Sequence, residues 1–411
     1  MKCRHCATAL SDSDDVFVDL GTAPPSNAFL SADDLGRAEL HLPLKVLACR
    51  ECGLVQIDEP QRREQLFCGD YVYYSSYSSS WLAHAERYVD QAVERLGLGA
   101  SSRVMEVASN DGYLLQFVAR RGIPCVGVEP TAGTAAVARA KGIETIGEFF
   151  GREFARRFVA ERGPVDLVLG NNVLAHVPDI DDFVAGLHDV LAPGGTVTVE
   201  FPHLLRLVRE AQFDTVYHEH FSYLSLHTVE RIFAAHGLAL WDVETLDTHG
   251  GSLRVWARRA ERCPAPSARV ADVLRLEDEA GMRGSDFHRG LQSRADRIKD
   301  DLLAFLIAQK RAGKVVAGYG AAAKGNTLLN YAGVRPDLLP FVADASPHKQ
   351  GRWLPGSRIP VVDPARLDAA RPDYVLILPW NLRTEIAAQL RHVREWGGRF
   401  VTAVPELVID R

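Results

Sequence analysis

Between residues 103 and 258 the chain alternates short apolar strands with helical runs, then abandons the alternation for two strands joined almost directly. Few folds accept that order. Strand patterns at 103–108, 124–128, 165–170 and 196–201 are separated by helical patterns that begin after Gly112, at Ala132 and at Asp179, which is the signature of a doubly wound parallel sheet. A helix near 227–237 then leads into strands at 238–246 and 252–258 joined through Thr248-His249-Gly250-Gly251. A parallel return needs a crossover of about a dozen residues, so this last pair must be antiparallel.

A parallel sheet closed by an antiparallel hairpin edge is the layout of class I methyltransferases, whereas dinucleotide-binding dehydrogenase sheets stay parallel. A second alternation follows, with strands expected at 314–319, 341–344, 374–378 and 400–404 and helices from Lys324 and across 382–396. It reads as a smaller Rossmann-like domain. Charged helices across 267–312, with Phe287, Leu291, Ile298, Leu302, Phe305 and Leu306 at helical spacing, form the connector. An amphipathic helix is expected near 81–96. The expected architecture is α/β: an N-terminal module (1–80) whose CxxC pairs Cys3/Cys6 and Cys49/Cys52 are expected to bind zinc, a central class I Rossmann-like methyltransferase domain (81–262) and a C-terminal Rossmann-like domain (263–411). A length of 411 residues suits two or three such domains.

Four of the seven cysteines fall into two CxxC pairs, Cys3/Cys6 and Cys49/Cys52. Each pair sets two thiolates on one side of a knuckle, and two knuckles complete a tetrahedral sulfur site around zinc. A redox dithiol needs one pair in a βαβ context, which residues 7–48 do not offer. A closed four-sulfur site is structural, and it would hold together the first 80 or so residues, where a core is small. Cys68, Cys125 and Cys263 have no matching partners.

Apolar residues make up 47% and charged residues 24% of the chain, which excludes a disordered or collagen-like protein. Lys plus Arg number 47 against 53 Asp plus Glu, a net charge of −6 with no basic run, so a grip on nucleic acid is disfavoured. The start MKCRHC lacks an apolar core, and no run approaches the ~20 apolar residues of a bilayer span. The expectation is a cytoplasmic protein with no membrane partner.

The turn after the first central strand reads Glu106-Val107-Ala108-Ser109-Asn110-Asp111-Gly112. It falls where a doubly wound sheet binds its ligand, outside the carboxyl ends of the strands. It lacks GxGxxG and carries Glu106 and Asp111, which favours a ligand with cationic and hydroxyl groups over a pyrophosphate. S-adenosylmethionine fits through its ammonium, sulfonium and ribose. Glu129 ends the next strand where a ribose diol would be gripped, Phe149 offers a ring to adenine or else a core contact, and Asn171 and Asn172 end the strand at 165–170.

Further on, Tyr217-His218-Glu219-His220-Phe221 sets two histidines around a glutamate. The spacing is wrong for two imidazoles on one helix face, so zinc is not expected. A base is: histidine titrates near neutrality, and an adjacent carboxylate could orient His220. His176 follows a strand end, where a lone histidine is usually structural. In the last block, Gly318-Tyr319-Gly320-Ala321 runs through small residues to Lys324 at a helix start, a possible diphosphate cradle supported by Lys349, Arg352 and Arg358.

In that order the four-cysteine site, the Tyr71–Ser76 stretch, Glu106 to Gly112, Tyr217 to Phe221 and Gly318 to Lys324 resemble the three-domain sugar C-methyltransferases, along essentially the whole chain. The resemblance implies S-adenosylmethionine as cofactor, structural zinc, and a nucleotide-linked keto sugar, expected to be dTDP-bound. It implies that His220 is the base, with Glu219, Tyr217 and His176 around the sugar and Tyr71 or Tyr73 closing the site. The C-terminal turn, with Tyr319, Gly320, Lys324, Lys349 and Arg352, would take the nucleotide. The family often has glycine where this chain has Ala108. Two alternatives stay open: a nicotinamide-dependent sugar-nucleotide oxidoreductase using the C-terminal glycine turn, and a zinc-ribbon RNA methyltransferase. Oligomeric state is not legible in the sequence.

Overall fold

In a computed structural model, which describes residues 1–58, 74–284 and 286–410, the central alternation forms a seven-stranded sheet. Its order is Leu238–Leu246, Ser252–Arg259, Leu191–Pro202, Val165–Asn171, Val104–Val107, Cys125–Val128 and Thr145–Ile146. From Leu191–Pro202 to Thr145–Ile146 all neighbours are parallel. Ser252–Arg259 is antiparallel to both of its neighbours. The expected hairpin is therefore present, and its second strand is inserted between its first and the parallel block. Val104–Val107 lies between the second and fourth parallel strands, so its carboxyl end is the topological switch point.

The C-terminal sheet repeats this plan in the order Val361–Val362, Val342–Ala343, Val316–Tyr319, Tyr374–Ile377, Arg399–Thr402 and Val408–Ile409, parallel except for the last pair. Its switch point lies at the carboxyl ends of Val316–Tyr319 and Tyr374–Ile377.

A third sheet joins Val16–Ala23, Leu42–Ala48 and Val55–Ile57 to Ser222–Tyr223, two residues that follow the histidine segment directly. The N-terminal module thus pins that segment in place. Among the described residues its buried apolar side chains belong to shared cores: Phe17, Val18, Leu44 and Ile57 pack with Phe213, Phe221, Leu302 and Leu329, while Cys3, Cys49, Cys52 and Leu54 pack with Phe183, Val229 and Ile232.

Helix Ser79–Leu96 starts at Ser78, whose hydroxyl accepts from the Trp81 amide, and ends at Gly97 with φ 64°, a left-handed cap that glycine adopts at no steric cost. Helix Ala268–Glu279 packs on the central domain. Its buried Glu277 accepts from the amides of Leu226 (2.6 Å) and His227 (3.0 Å) at the start of helix Leu226–Ala235 and pairs with His203 at 2.7 Å, a carboxylate placed at the positive end of a helix. Among the described residues no helix is long and apolar enough to cross a membrane.

Candidate active site

The turn leaving Val104–Val107 is wound tightly, with φ of 56° at Ala108, 50° at Asn110 and 74° at Gly112. Gly112 has a second reason to be glycine, since a Cβ there would sit 3.3 Å from both Ala138 and Ile143. The Asn110 amide donates to Glu129 at 2.9 Å, and the Thr131 amide donates to the other Glu129 oxygen at 2.9 Å. The first two strand ends are thereby tied together. Burial still pushes the Glu129 carboxyl above its ordinary range. Glu106 is wholly buried and held well above its ordinary range, first by desolvation, with the negative charges of Asp111 and Glu129 adding to it. Three carboxyls so arranged favour a cationic ligand.

Ser75 donates its amide to Asn110 at 2.9 Å, so the end of the tyrosine and serine stretch docks on this loop. Lys141 bonds Ser76 and the Asp111 carbonyl, each at 2.8 Å. Tyr71 and Tyr73 lie outside the described residues. One strand over, Asn172 has φ 56°, and the Asn171 amide atoms and Asn172 Oδ1 are buried without a partner among the described residues. Phe150, not Phe149, enters the core beside Phe154 and Phe183, while Phe149 stays half-buried. The unpartnered Asn171 and Asn172 atoms and the three carboxyls at the strand ends fit S-adenosylmethionine.

His220 is fixed at both nitrogens. Nδ1–H donates to the Thr215 carbonyl at 2.9 Å, and Nε2 accepts from the Tyr217 hydroxyl at 2.7 Å. The carbonyl defines the tautomer: the lone pair is on Nε2, the hallmark of an oriented base. His176 donates from Nδ1 to the Glu219 carbonyl at 2.7 Å, and its ring lies 4.6 Å from that of His220. Burial drives His220 well below the usual histidine range and His176 down to about 4, so both are neutral at pH 7.

The expected help from Glu219 takes another form. The Tyr217–His220 segment is a tight turn, closed by the His220 amide on the Tyr217 carbonyl at 2.9 Å; in it the Glu219 carboxylate accepts from Asn27 Nδ2 at 3.1 Å, and its backbone carbonyl serves the His176 imidazole. Burial raises its pKa. His218 faces away as well, paired with the Pro43 carbonyl at 3.1 Å.

The C-terminal turn divides the expected ligand residues. Tyr319 is buried in the domain core. Gly320 and Gly325 are explained by packing, since a Cβ would lie 2.5 Å from Pro379 and 2.6 Å from Leu378 respectively. Lys349 bonds the Ala321 carbonyl at 2.9 Å. Arg352 lies near Asp34 of the N-terminal module, and Arg358 donates to Leu35 O at 2.8 Å, holding that module rather than a phosphate.

Asp344 ends the second strand, where a dinucleotide fold grips ribose. It accepts from the amides of Ala321 (2.7 Å), in the loop after the first strand, and Ser346 (2.8 Å), in its own loop, as Glu129 does from Asn110 and Thr131 in the central domain.

Lys324 sits deeper than a phosphate grip at a helix start requires. Its Nζ donates to Asn381 Oδ1 at 2.7 Å and lies 4.6 Å over the Trp380 ring. Trp380 donates its indole N–H to buried Asp214 at 2.7 Å. Desolvation raises Asp214 to about 6 and lowers Lys324, whose charge in turn disfavours protonation of His220 and His249. The carboxyl ends of the two parallel sheets therefore meet in one cleft.

Sequence reasoning passed over Asp214, Trp380 and Asn381, although the switch-point rule applied to the second sheet leads to the last two. It also passed over Glu200, a carboxylate in an otherwise apolar strand. Glu200 is wholly buried and accepts from Thr248 Oγ1 (2.7 Å), His84 Nε2 (2.8 Å) and Arg254 (2.8 Å), which hold its pKa down at about 2.

At the N terminus the four cysteine sulfurs lie within 4.8 Å of one another, with Cys3–Cys52 at 3.4 Å and Cys6–Cys49 at 3.5 Å. A zinc ion with sulfurs at about 2.3 Å needs sulfur separations of about 3.8 Å, so the quartet fits it.

The strand order, a parallel block closed by an antiparallel hairpin edge, is that of a class I methyltransferase. Three family models match consecutive stretches: a zinc binding domain at residues 3–67, a methyltransferase domain at 81–243 and a C-methyltransferase C-terminal domain at 247–405. The chain is 37% identical over 405 residues to C-methyltransferase NovU of Streptomyces niveus, covering 98% of this chain and 96% of that one. It is 31% identical over 98 residues to a ubiquinone biosynthesis O-methyltransferase of Chelativorans sp. strain BNC1, covering 24% and 39%. A solved structure of magnesium protoporphyrin IX methyltransferase from Synechocystis PCC 6803 with bound SAH aligns at 14% identity and a TM-score of 0.35, covering 43% of this chain and 83% of that one. The chain belongs to the C-methyltransferase family and is an S-adenosylmethionine-dependent enzyme with a zinc-binding N-terminal module.

Proposed function

We propose that the protein methylates carbon 3 of a nucleotide-linked 4-keto-deoxysugar, with dTDP as the nucleotide and His220 as the base. The observation that carries this reading is the fixed tautomer of His220, whose basic Nε2 faces a phenol in the cleft between the two parallel sheets. A ketone at carbon 4 acidifies the hydrogen on carbon 3, and Nε2 removes it. Tyr217 yields its hydrogen bond to Nε2 when the substrate enters and can turn its O–H toward the enolate oxygen. His176, neutral and beside His220, shapes the sugar pocket together with Glu219, and Tyr71 or Tyr73 closes it.

Bound S-adenosylmethionine supplies an electrophilic methyl group to the carbanion. Glu106, Asp111 and Glu129 hold its cationic and ribose groups, Ala108 to Gly112 shape the turn beneath it, and Phe149, Asn171 and Asn172 line the adenine side. Lys349, bonded to the Ala321 carbonyl at the glycine turn, is the cation left for the diphosphate, since Lys324 is engaged by Asn381 and Trp380 and Arg352 lies by Asp34. Such a substrate is a small molecule that a cytoplasmic enzyme would meet in solution. Calorimetric titration with S-adenosylhomocysteine and, separately, with dTDP tests the reading. Binding of both is expected; binding of the first alone would reopen the acceptor.

A further inference from the structure

The hairpin turn at Thr248–Gly250 is held from several sides. Thr248 Oγ1 donates to Glu200 at 2.7 Å, the Ser252 hydroxyl donates to the Thr248 carbonyl at 2.9 Å, and Gln212 Nε2 donates to the Gly250 carbonyl at 2.7 Å. A Cβ on Gly250 would lie 2.5 Å from the Trp380 ring. Trp380 in turn bonds Asp214, next to the Thr215 carbonyl that orients His220. At the centre of this turn stands His249 with φ 54° and ψ 21°. An imidazole-bearing residue adopts that left-handed conformation only at a cost, and such cost concentrates where surroundings force a side chain into a working position.

The His249 ring meets the Trp81 ring edge-on at 4.9 Å, and its Nε2 is sealed from solvent without a partner among the described residues. Burial and the Lys324 charge keep it neutral, with a pKa near 4. The cleft therefore holds three neutral imidazoles. Two of them donate their N–H to backbone carbonyls and are left with a lone pair. The third, His249, makes no such donation among the described residues, and the tautomer protonated on its unpartnered Nε2 would present an N–H to a ligand.

We propose that His249 is a further catalytic residue, donating a hydrogen bond to the substrate oxygen that becomes the enolate when His220 takes the neighbouring proton. A neutral imidazole suits this role, because it polarises a carbonyl without giving up its proton and is already desolvated before the reaction begins. The His249 N–H stays intact through the step, and the abstracted proton resides on His220. The inference rests on the keto-sugar reading above.

The test uses the full-length zinc-loaded protein with S-adenosylhomocysteine and dTDP-4-keto-6-deoxyglucose in deuterium oxide, with deuterium entry beside the ketone followed by NMR. Wild type is expected to exchange. His249→Ala and His249→Gly should exchange at least about 100-fold more slowly, with unchanged affinity for S-adenosylhomocysteine. His249→Gly should melt no lower than wild type, because glycine relieves the left-handed conformation. His249→Asn, which tolerates that conformation and retains a donor, should recover part of the rate. Wild-type exchange by His249→Ala overturns the proposal, as does a rate loss in His249→Gly matched by a lower melting temperature. Failure of the wild type to exchange overturns the keto-sugar reading instead.

Discussion

Replacing Trp380 by Phe tests whether the two parallel sheets communicate through Asp214. The indole N–H is the side-chain donor to a carboxyl that is wholly buried, and its ring carries Lys324 on its face. Phenylalanine keeps most of the packing but removes the donor. A hydrogen bond to a buried charge contributes about 1.5–3 kcal/mol, and 1.36 kcal/mol corresponds to about one pKa unit. Asp214 should therefore rise from about 6 by about one to two units.

The sign follows from linkage. A carboxyl raised in the folded state costs stability as pH climbs through its folded pKa. At pH 5 Asp214 is protonated in both proteins, and the variant should lose only what packing dictates. At pH 8 the wild type has already ionised the group, and the variant should be weaker by about a further 2 kcal/mol. Urea denaturation followed by far-UV circular dichroism at the two pH values measures this without relying on the deleted tryptophan. A loss that is the same at pH 5 and pH 8 would refute the reasoning.

Removing zinc, by chelation or through Cys49→Ser, should cost on the order of 5 kcal/mol and weaken S-adenosylhomocysteine binding, because Cys49 shares a core with Phe183 and Val229 of the central domain; elemental analysis paired with calorimetry checks it, and unchanged affinity in zinc-free protein would count against the shared core. Ala108→Gly should stabilise the protein by about 0.5–1 kcal/mol, since relief of a φ of 56° offsets the extra unfolded-state entropy; a fall in the denaturation midpoint would contradict it. The pH profile of kcat/KM should stay level down to about pH 6.5, because burial keeps His220 and His176 deprotonated there; an acid limb centred above about pH 7 would remove His220 as base. The same depressed values mean that stability is present above about pH 6.5 and lost as pH falls toward 4, where the folded His176 finally protonates.

The parts of this site that were legible in the sequence are those written in local spacing. The five residues between Leu246 and Ser252 leave no room for a crossover, so the hairpin follows. The loop from Glu106 to Gly112 follows a strand directly, and the CxxC knuckles carry their geometry within four residues. What remained hidden depends on distant partners. Ser222–Tyr223 is too short to read as a strand and becomes one only against Val55 and Gln56. Glu219 and His220 are adjacent in sequence yet face different neighbours, because Asn27 draws one and Thr215 the other. Gly320 looked like a ligand glycine, and Pro379 gives the physical reason it must be small. His249 stood in plain view as a turn residue, and only its backbone angles and its unpartnered nitrogen distinguish it.

The central claim is carbon methylation beside a ketone of a nucleotide-linked sugar. Incubation with S-adenosylmethionine labelled with carbon-13 in its methyl group and a dTDP-linked 4-keto-6-deoxyhexose, followed by NMR of the product, addresses it directly. The account predicts a labelled methyl bonded to carbon 3, formed by wild type and absent with His220→Asn. A label on oxygen or nitrogen, or product formed at the wild-type rate by His220→Asn, would contradict it.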